Sequence, residues 1–202
     1  MRMDTILVIG AGGYFGGLLV EELLKYSDCH IISGGRDLHR LQRMWQTLPK
    51  GWQQRVKVQK LDLAAPESLT SAVSQVKIAV CAAGPFQHLP HTLLQSCLKH
   101  NVHYIDLSDD RAFVSEAHRL CEQYVAQKEQ PAICSGWSSM PALSVLLAGI
   151  ASEGMNRIER IRIQIAPGNR SPRGYATVAS LLESVGRPFQ IWQQNKWVTV
   201  TG

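Results

Sequence analysis

Short apolar runs alternate with longer segments of mixed character over most of the chain. The short runs have the continuous apolar character of strands that are buried on both faces of a parallel sheet. The longer segments carry apolar residues every three or four positions, which is typical of amphipathic helices. Strands are predicted at residues 5–9, 29–33, 56–61, 78–82, 103–107 and 132–135. Helices are predicted at residues 15–26, 38–48, 65–73, 90–100, 112–126 and 141–152.

The alternation of strands and helices defines the fold class. Parallel strands need crossover connections, and helices of this length provide them on both faces of a sheet. We therefore predict an α/β fold with a doubly wound parallel sheet, the Rossmann arrangement. In such a sheet, ligands bind beyond the carboxyl ends of the strands, at the crevice between the first and fourth strands where the strand order reverses.

The pattern changes after residue 154. Residues 158–165 alternate isoleucine with charged or polar residues, which is typical of a strand with one solvated face. A helix is predicted over 174–186 and a hairpin over 189–202, with residues 194–196 at its turn. We predict a dinucleotide-binding domain over residues 1–154 and part of a smaller α+β domain over residues 155–202, which we expect to be truncated.

A glycine-rich segment joins the first strand to the first helix. Its spacing fits G-x-x-G-x-x-G and departs from G-x-G-x-x-G, because a phenylalanine occupies the third glycine position. Glycines here permit a tight turn and let a diphosphate lie against the main chain, while the helix N-terminus offers unpaired amides. The alternative is a tight packing turn without a nucleotide. Dinucleotide contacts are predicted at Gly10, Gly12, Gly13, Tyr14, Phe15 and Gly16.

The end of the second strand distinguishes between the two nicotinamide cofactors. NAD-binding proteins usually carry an acidic residue there for the ribose diol, whereas this chain has two glycines and then Arg36. An arginine can clamp a 2′-phosphate, so we predict NADP and leave NAD open because Asp37 follows. Arg40 and Arg43 are interpreted as a solvated helix face. Asp62, after the third strand, is predicted either to bind the adenine amine or to cap the next helix.

The segment after the fourth strand is the second wall of the predicted crevice. Its small residues would let a cofactor pass, and its proline and phenylalanine would shape the nicotinamide end. Cofactor contacts are predicted at Ala82, Ala83, Gly84, Pro85 and Phe86. His88 is the predicted general acid, unless it is a surface loop histidine, and Asp106 after the fifth strand is the second candidate. His88 and His91 are three residues apart, but no acidic or cysteine partner lies at ligand spacing, so no metal is expected.

The composition limits the remaining possibilities. The 202-residue chain has a formal net charge of +5 without a Lys/Arg tract, so no nucleic-acid partner is expected. Its five cysteines show no C-x-x-C spacing, which favours reduced thiols and a cytoplasmic location. No apolar stretch reaches the length of a bilayer span, and the N-terminus lacks a signal-peptide plan, so no membrane association is expected. A small-molecule substrate is expected, and a homodimer is left open.

Several of these segments together resemble the NADP-binding domain of the saccharopine dehydrogenase-like family. The resemblance covers about residues 5–150, and the order of the motifs along the chain makes it specific. It is carried by "VIGAGGYFG", "GGRDLHRL", "CAAGPF", "CLKHNVHYIDLSDD" and "SGWSSMPALS". The later segment "GYATVASLLESVGRPFQIWQQNKW" is similar to the second domain of that family, where a helix leads to a strand pair.

The resemblance implies an NAD(P)-dependent oxidoreductase with a Rossmann domain and a mixed substrate or dimerisation domain. Its matching motifs place a common set of residues around the cofactor: Gly10, Gly13, Gly16, Arg36, Ala83, Gly84 and Pro85. Two departures concern the substrate rather than the cofactor. "GPF" is followed by Gln-His-Leu-Pro where relatives often have a glycine, and "LSDD" replaces the more usual glycine-glutamate ending.

The function that these observations favour is NADP-linked oxidoreduction, with hydride transfer to or from an imine, carbonyl or enoyl group. Two alternatives remain at this point. A cofactor-binding sensor or assembly module would bind NADP without turning over a substrate. A structural dimerisation protein with a vestigial loop would bind no dinucleotide.

Overall fold

The structure is a computed structural model that describes residues 4–124, 131–166, 168, 170 and 174–201. Its strands are β1 Thr5–Ile9, β2 His30–Gly35, β3 Val56–Lys60, β4 Ile78–Cys81, β5 His103–Asp106, β6 Ile133–Cys134, β7 Pro188–Gln193 and β8 Lys196–Thr201. Its α-helices are α1 Tyr14–Tyr26, α2 Leu38–Gln46, α3 Lys50–Gln53, α4 Pro66–Val73, α5 Thr92–His100, α6 Arg111–Tyr124, α7 Ser144–Ala151 and α8 Tyr175–Ser184.

Strands β1 to β6 form a parallel sheet in the order β3-β2-β1-β4-β5-β6. This confirms the predicted doubly wound α/β fold. The strand order reverses between β1 and β4, and Ile9 at the end of β1 is paired with both Gly34 and Cys81. The carboxyl ends of the three central strands are therefore level with one another, and they form one edge at which a ligand can lie.

The sheet is buried on both faces, which explains why its strands are continuous apolar runs. On one face, Leu7 and Ala79 pack within the larger core cluster together with residues of α4, α5 and α6. On the other face, Val8 and Ile31 pack with α1 and α2. Successive strand residues point to opposite faces, so each strand contributes to both layers of the core.

The second region contains α8 and a hairpin of β7 and β8, as predicted. Gln194 and Asn195 connect the two antiparallel strands, with φ of +51° and +58°. Positive φ at both central residues is the geometry of the two-residue turn that matches the twist of a hairpin. Lys196 belongs to β8, so the turn is one residue shorter than the predicted one, and Gly202 lies outside the described residues.

The prediction of a strand at residues 158–165 is wrong. None of the described residues of this segment is paired in a sheet. The six-stranded sheet contains only β1 to β6, and the two-stranded sheet contains only β7 and β8. The alternation of apolar and polar residues favours an extended chain with one apolar and one polar face. It does not indicate which other strand such a chain would pair with. The isoleucines of this segment instead line an apolar groove of about 610 Å³ with α7.

Three further differences are local. Helix α3 and a 3-10 turn at Phe86–His88 were not predicted, since neither is long enough to show a periodic pattern. An irregular turn at Ser139–Leu143 delays α7 beyond its predicted start. The end of the helix predicted at residues 112–126, which corresponds to α6, lies outside the described residues at positions 125 and 126.

Two further findings concern the thiols, which were predicted to be reduced, and the lengths of the helices. All five cysteines are free thiols. Among the described residues, every helix is too short or too polar to reach from one side of a bilayer to the other.

Candidate cofactor-binding site

The bend between β1 and α1 is closed by contacts that only glycine allows. Gly10 has a φ of +84°, and a Cβ placed on it would lie 2.5 Å from the backbone nitrogen of Ala83. A Cβ on Gly16 would collide with the carbonyl oxygen of Gly10. The amide of Gly13 donates to that same oxygen at 2.8 Å. The loop therefore lies directly against both its own helix and the end of β4.

The N-terminus of α1 is open towards this bend. Gly13 is its N-cap and has no side chain to accept from the first helical amides. Among described atoms, only the carbonyl oxygen of Gly10 lies within 4 Å of where a Cβ of Gly13 would be. Tyr14 and Phe15 pack edge to face with each other, at 5.2 Å between ring centroids, and both rings are partly exposed. Uncapped amides at a helix N-terminus can hold an anion such as a pyrophosphate.

Two arginines follow the end of β2, and the second of them lies close to the bend. Arg36 is exposed directly after β2. Arg40 lies one turn into α2, and its Cδ and Nε are 3.8 Å from the position of a Cβ on Gly12. Sequence reasoning interpreted Arg40 as part of a solvated face, because the helical pattern does not show which exposed side chain reaches the glycine loop.

Helix α2 is fixed in place by contacts that the sequence only partly signals. The carboxylate of Asp37 accepts from the amide of Arg40 at 2.9 Å and thereby caps the helix. The buried indole of Trp45 donates to the Oγ of Ser33 in β2 at 2.7 Å. Asp37 was the acidic residue for which NAD was kept as an alternative cofactor, and in the structure its carboxylate caps α2.

Asp62 lies just beyond β3, where the sequence analysis left two roles open. Its Oδ1 accepts from the amide of Ala64 at 3.0 Å, in a local turn. The N-cap of α4 is Ala65, whose side chain cannot accept a hydrogen bond from the first amides of the helix. The geometry therefore does not support the capping role, and the contact with adenine stays a prediction.

The second wall contains residues of two kinds. Ala82, Ala83, Gly84 and Pro85 are partly or fully exposed along the edge of the sheet. Phe86 is buried and packs edge to face on Phe113, at 5.1 Å between ring centroids. The first four residues are therefore accessible to a ligand, whereas the ring of Phe86 supports the wall from the core side.

The two predicted acids are both engaged with other protein groups. The Nε2 of His88 lies 3.0 Å from the carboxylate of Glu183 in α8, and Arg187 lies 3.6 Å from the same oxygen. His91, its neighbour in the sequence pattern, stacks on Phe113, and its Nε2 lies 3.0 Å from the Phe113 carbonyl oxygen. The two histidines therefore have different partners.

Asp106 is completely buried, and its carboxylate accepts three hydrogen bonds. Oδ1 accepts from the amides of Ser108 at 3.0 Å and Gly136 at 2.9 Å, and Oδ2 accepts from the hydroxyl of Ser135 at 2.7 Å. The carboxylate thus ties the end of β5 to the loop after β6. This geometry is that of a positioning group, and its role as a general acid stays a prediction.

The groups beside Asp106 are kept protonated by burial. Burial raises the pKa of the Cys81 thiol to about 12, and the nearby Asp106 carboxylate adds to the shift. Burial also raises the pKa of Tyr104 well above its usual value, with Cys81 and Asp106 contributing. These side chains are therefore neutral at physiological pH, and they have no thiolate or phenolate available for chemistry.

Comparison with known proteins agrees with this geometry. Residues 6–133 match the family model described as the saccharopine dehydrogenase NADP binding domain. A relative from Arabidopsis thaliana, named "Probable mitochondrial saccharopine dehydrogenase-like oxidoreductase", is 25% identical over 150 residues. That match covers 68% of this chain and 32% of the relative.

Two solved structures share the fold. Apo saccharopine dehydrogenase (L-Glu forming) from Saccharomyces cerevisiae has a TM-score of 0.59 and 16% identity, over 73% of this chain and 30% of that chain. Pen from Bacillus thuringiensis has a TM-score of 0.51 and 13% identity, over 67% of this chain and 50% of that chain. This chain thus spans about a third of the length of the Arabidopsis and yeast proteins.

Proposed function

Since this chain belongs to the saccharopine dehydrogenase NADP binding domain family, we propose that it is the cofactor-binding part of an NADP-dependent oxidoreductase. The observation that carries the proposal is the glycine bend, with Gly10 against the backbone of Ala83 and the uncapped start of α1 beside it. When bound, the nicotinamide supplies or accepts the hydride. The protein binds the dinucleotide, orients it and excludes water.

The described residues suggest how the dinucleotide is held. The first amides of α1 face the pyrophosphate, which suits their partial positive charge. Arg36 and Arg40 bind the 2′-phosphate beyond β2. Asp62 binds the adenine amine. The backbone of Ala82, Ala83 and Gly84 forms a low wall along which the nicotinamide half passes.

The engagement of both predicted acids favours an imine as the reducible group. Hydride addition to an iminium carbon gives a neutral amine, because the C=N electron pair moves onto the charged nitrogen and no proton is needed at that step. A carbonyl would give an alkoxide and an enoyl group an enolate, each of which requires a proton donor. His88 pairs with Glu183, and the Asp106 carboxylate is fully occupied by hydrogen-bond donors.

The same observation keeps a second candidate in view. A non-catalytic NADP-binding sensor needs no proton donor at all, and its response would reach α8 through the contact between His88 and Glu183. This candidate predicts nucleotide binding without consumption of NADPH in the presence of any reducible compound.

Two measurements test the proposal. Calorimetric titration should show that NADPH binds and that NADH binds more weakly, because NADH lacks the 2′-phosphate. NADPH absorbance should then fall when a 2-oxo acid and a primary amine are supplied together, as sources of an imine. Equal consumption with the 2-oxo acid alone would contradict the imine assignment. Binding of NADPH without consumption across imines, carbonyls and enoyl thioesters would favour the sensor.

A further inference from the structure

Helix α8 lies across the gap between the two walls of the crevice. At its first turn, a Cβ on the N-cap Gly174 would lie 3.5 Å from the Cβ of Tyr14, which begins α1. The Cβ of Ala176 is 3.0 Å from the position of a Cβ on Gly84, which follows β4 closely. The two walls, which touch at the glycine bend, are therefore joined a second time by α8.

The remaining contacts of α8 follow the second wall away from the glycine bend. Gln87 Nε2 donates to the Oγ of Ser180 at 2.7 Å, and the Nε2 of His88 lies 3.0 Å from the carboxylate of Glu183. At the rise of an α-helix, the stretch from the N-cap to Glu183 covers roughly 13 Å. In a sheet with this strand order, a dinucleotide crosses the edge at β1 and β4, and its nicotinamide half passes beyond β4. We therefore expect α8 to lie along the nicotinamide half and not along the adenosine half, which belongs beyond β2.

The face that α8 turns towards the wall is not its apolar face. Ala176, Ser180 and Glu183 are spaced at i, i+4 and i+7, so they share the inner face of the helix. Large apolar side chains of α8 point to solvent instead, with Tyr175 85% and Leu182 68% exposed. None of the described side chains of α8 belongs to either core cluster. The hydrophobic effect thus contributes little to the attachment of α8, which depends on one hydrogen bond and one partly exposed ion pair.

The chain beyond α8 provides a hinge and an anchor. Gly186 has a φ of +73°, and no described atom lies within 4 Å of the position of a Cβ there. A glycine in open space can change its backbone angles at low cost. Farther along the chain, Arg111 of α6 donates to the carbonyl oxygen of Gln190 at 2.6 Å, and its guanidinium lies 5.4 Å from the ring centroid of Phe189. The hairpin is therefore fixed to α6, and α8 can move relative to it about Gly186.

The edge of the sheet beneath α8 is not filled by protein. Ala82 and Ala83 lie between the glycine bend and the contact of Gly84 with α8, and both stay partly exposed. A ligand at this edge would be enclosed between the second wall and α8 while the helix is in place.

We propose that α8 is a lid over the nicotinamide half of the crevice. It lifts about Gly186 to admit the dinucleotide and closes again over it, held by the contacts of Ser180 and Glu183 with the Phe86–His88 turn. This inference rests on the proposed function. The closed lid excludes water from the place where the hydride is transferred.

The first test measures how fast NADPH binds when the contacts of the lid are weakened. Association and dissociation rates are followed by stopped-flow NADPH fluorescence for the wild type, Ser180→Ala and Glu183→Gln. Each variant should raise both rates by about twofold to tenfold, because the loss of one such contact increases the population of the lifted state by that factor. The dissociation constant should change little, since the same contacts close the lid before and after binding.

Leu182→Ala is the matched control, because it shortens an exposed side chain on the outer face of the same helix. Its rates should equal those of the wild type. Calorimetry with 2′,5′-ADP, which lacks the nicotinamide half, should give the same dissociation constant for all three variants and the wild type, which shows that the variants are folded.

Hydrogen exchange of the wild type tests the lid without any substitution. The amides of α8 should exchange faster than those of α1, whose Val20 and Leu24 belong to a core cluster. Saturating NADPH should slow the exchange of α8 severalfold, because the nicotinamide half then lies against the closed helix. Saturating 2′,5′-ADP should leave the exchange of α8 unchanged.

NADPH association rates that are equal in the wild type, Ser180→Ala and Glu183→Gln would overturn the inference alone. Exchange of α8 that does not respond to NADPH would do the same. Failure of the wild type to bind NADPH would overturn the proposed function, and the inference with it.

Discussion

At the scale of single residues, Gly10 determines how closely the two walls of the crevice approach. Its φ of +84° is in the left-handed region, and the space for a side chain is occupied by the backbone of residues 82 and 83. Backbone atoms cannot move aside as the end of a flexible side chain can. The contact therefore excludes every residue other than glycine without a shift of the loop or of β4.

We expect Gly10→Ala to destabilise the protein and to abolish NADPH binding. The cost should be about 2–4 kcal/mol, from the left-handed backbone together with overpacking. Thermal unfolding should show the loss as a lower Tm. Gly51→Ala is the control, because no atom lies within 4 Å of a Cβ there, and its Tm should stay within a degree or so of the wild type or rise slightly. Similar Tm values for both variants would contradict the close contact.

Arg36 and Arg40 are the residues that we expect to discriminate between NADPH and NADH. Arg36→Ala and Arg40→Ala should each weaken NADPH binding by about tenfold to a hundredfold, as expected for loss of a charge-assisted hydrogen bond. Binding of NADH should change little. Arg43→Ala is the matched control, because it removes the same charge from the last turn of α2. Calorimetric titration with both nucleotides measures the effect, and an equal loss for both would assign the arginines to the pyrophosphate instead.

The place of the candidate site residues in the fold was predictable where it depends on local sequence. The glycines and Arg36 follow directly from the end of a strand, so their spacing alone locates them. Arg40 was missed because its approach to Gly12 depends on how α2 packs on β2. Asp106 was placed correctly at a strand end, but the three donors that occupy its carboxylate come from residues 108, 135 and 136. Such pairing across the sheet leaves no signal in one sequence.

At the scale of elements, the parallel strands were predictable and the helix faces less so. Buried parallel strands are short apolar runs, and all six were found with ends shifted by a residue or two. In α1 the apolar residue Leu18 is exposed, whereas the buried face is formed by Gly16, Gly17, Val20 and Leu24. Glycine is not apolar enough to mark a contact face in the sequence, although here it allows the closest packing.

The loop after β6 is held to the end of β5 by hydrogen bonds to the Asp106 carboxylate. Asp106→Asn should reduce the free energy of unfolding by about 1–3 kcal/mol, because the two buried amides lose a charged acceptor and the Ser135 hydroxyl, which now donates, must turn to accept from the new NH₂. Urea denaturation measures this change. Asp109→Asn, at an exposed position three residues later, should stay within about 0.5 kcal/mol of the wild type. A wild-type stability for Asp106→Asn would contradict the positioning role.

At the scale of the whole molecule, the buried thiols make stability depend on alkaline pH. Burial raises the pKa values of Cys81 and Cys97 from 9.0 to about 12. Between these values the folded state binds more protons than the unfolded state. The stabilising contribution is therefore complete below about pH 9 and is lost as the pH rises towards 12.

We expect the free energy of unfolding to fall between pH 9 and pH 11, by up to about 1 kcal/mol per pH unit for each thiol. Urea denaturation at several pH values gives the slope. Cys97→Ala should reduce this slope, because one of the buried groups whose pKa falls on unfolding is gone. A stability that is constant across this pH range in the wild type would contradict the burial of the thiols.

The overall fold was predictable because the strands, the helices and the parallel sheet each correspond to a distinct pattern in the sequence. Run length identifies the strands, periodicity identifies the helices, and their alternation implies the parallel sheet. The division at residue 155 stays a prediction. The contacts between the Phe86–His88 turn and α8 had no signal in the sequence, since they join residues more than 90 positions apart, as in the bond between Gln87 and Ser180.

The contact of Gly10 with Ala83 and the contacts of the Phe86–His88 turn with α8 differ in how readily a substitution can alter them. The first joins main chain to main chain and tolerates no substitution at its centre, whereas the second joins side chains that can each be exchanged. Substitutions can therefore accumulate in α8 and in the Phe86–His88 turn while the glycine bend keeps its shape.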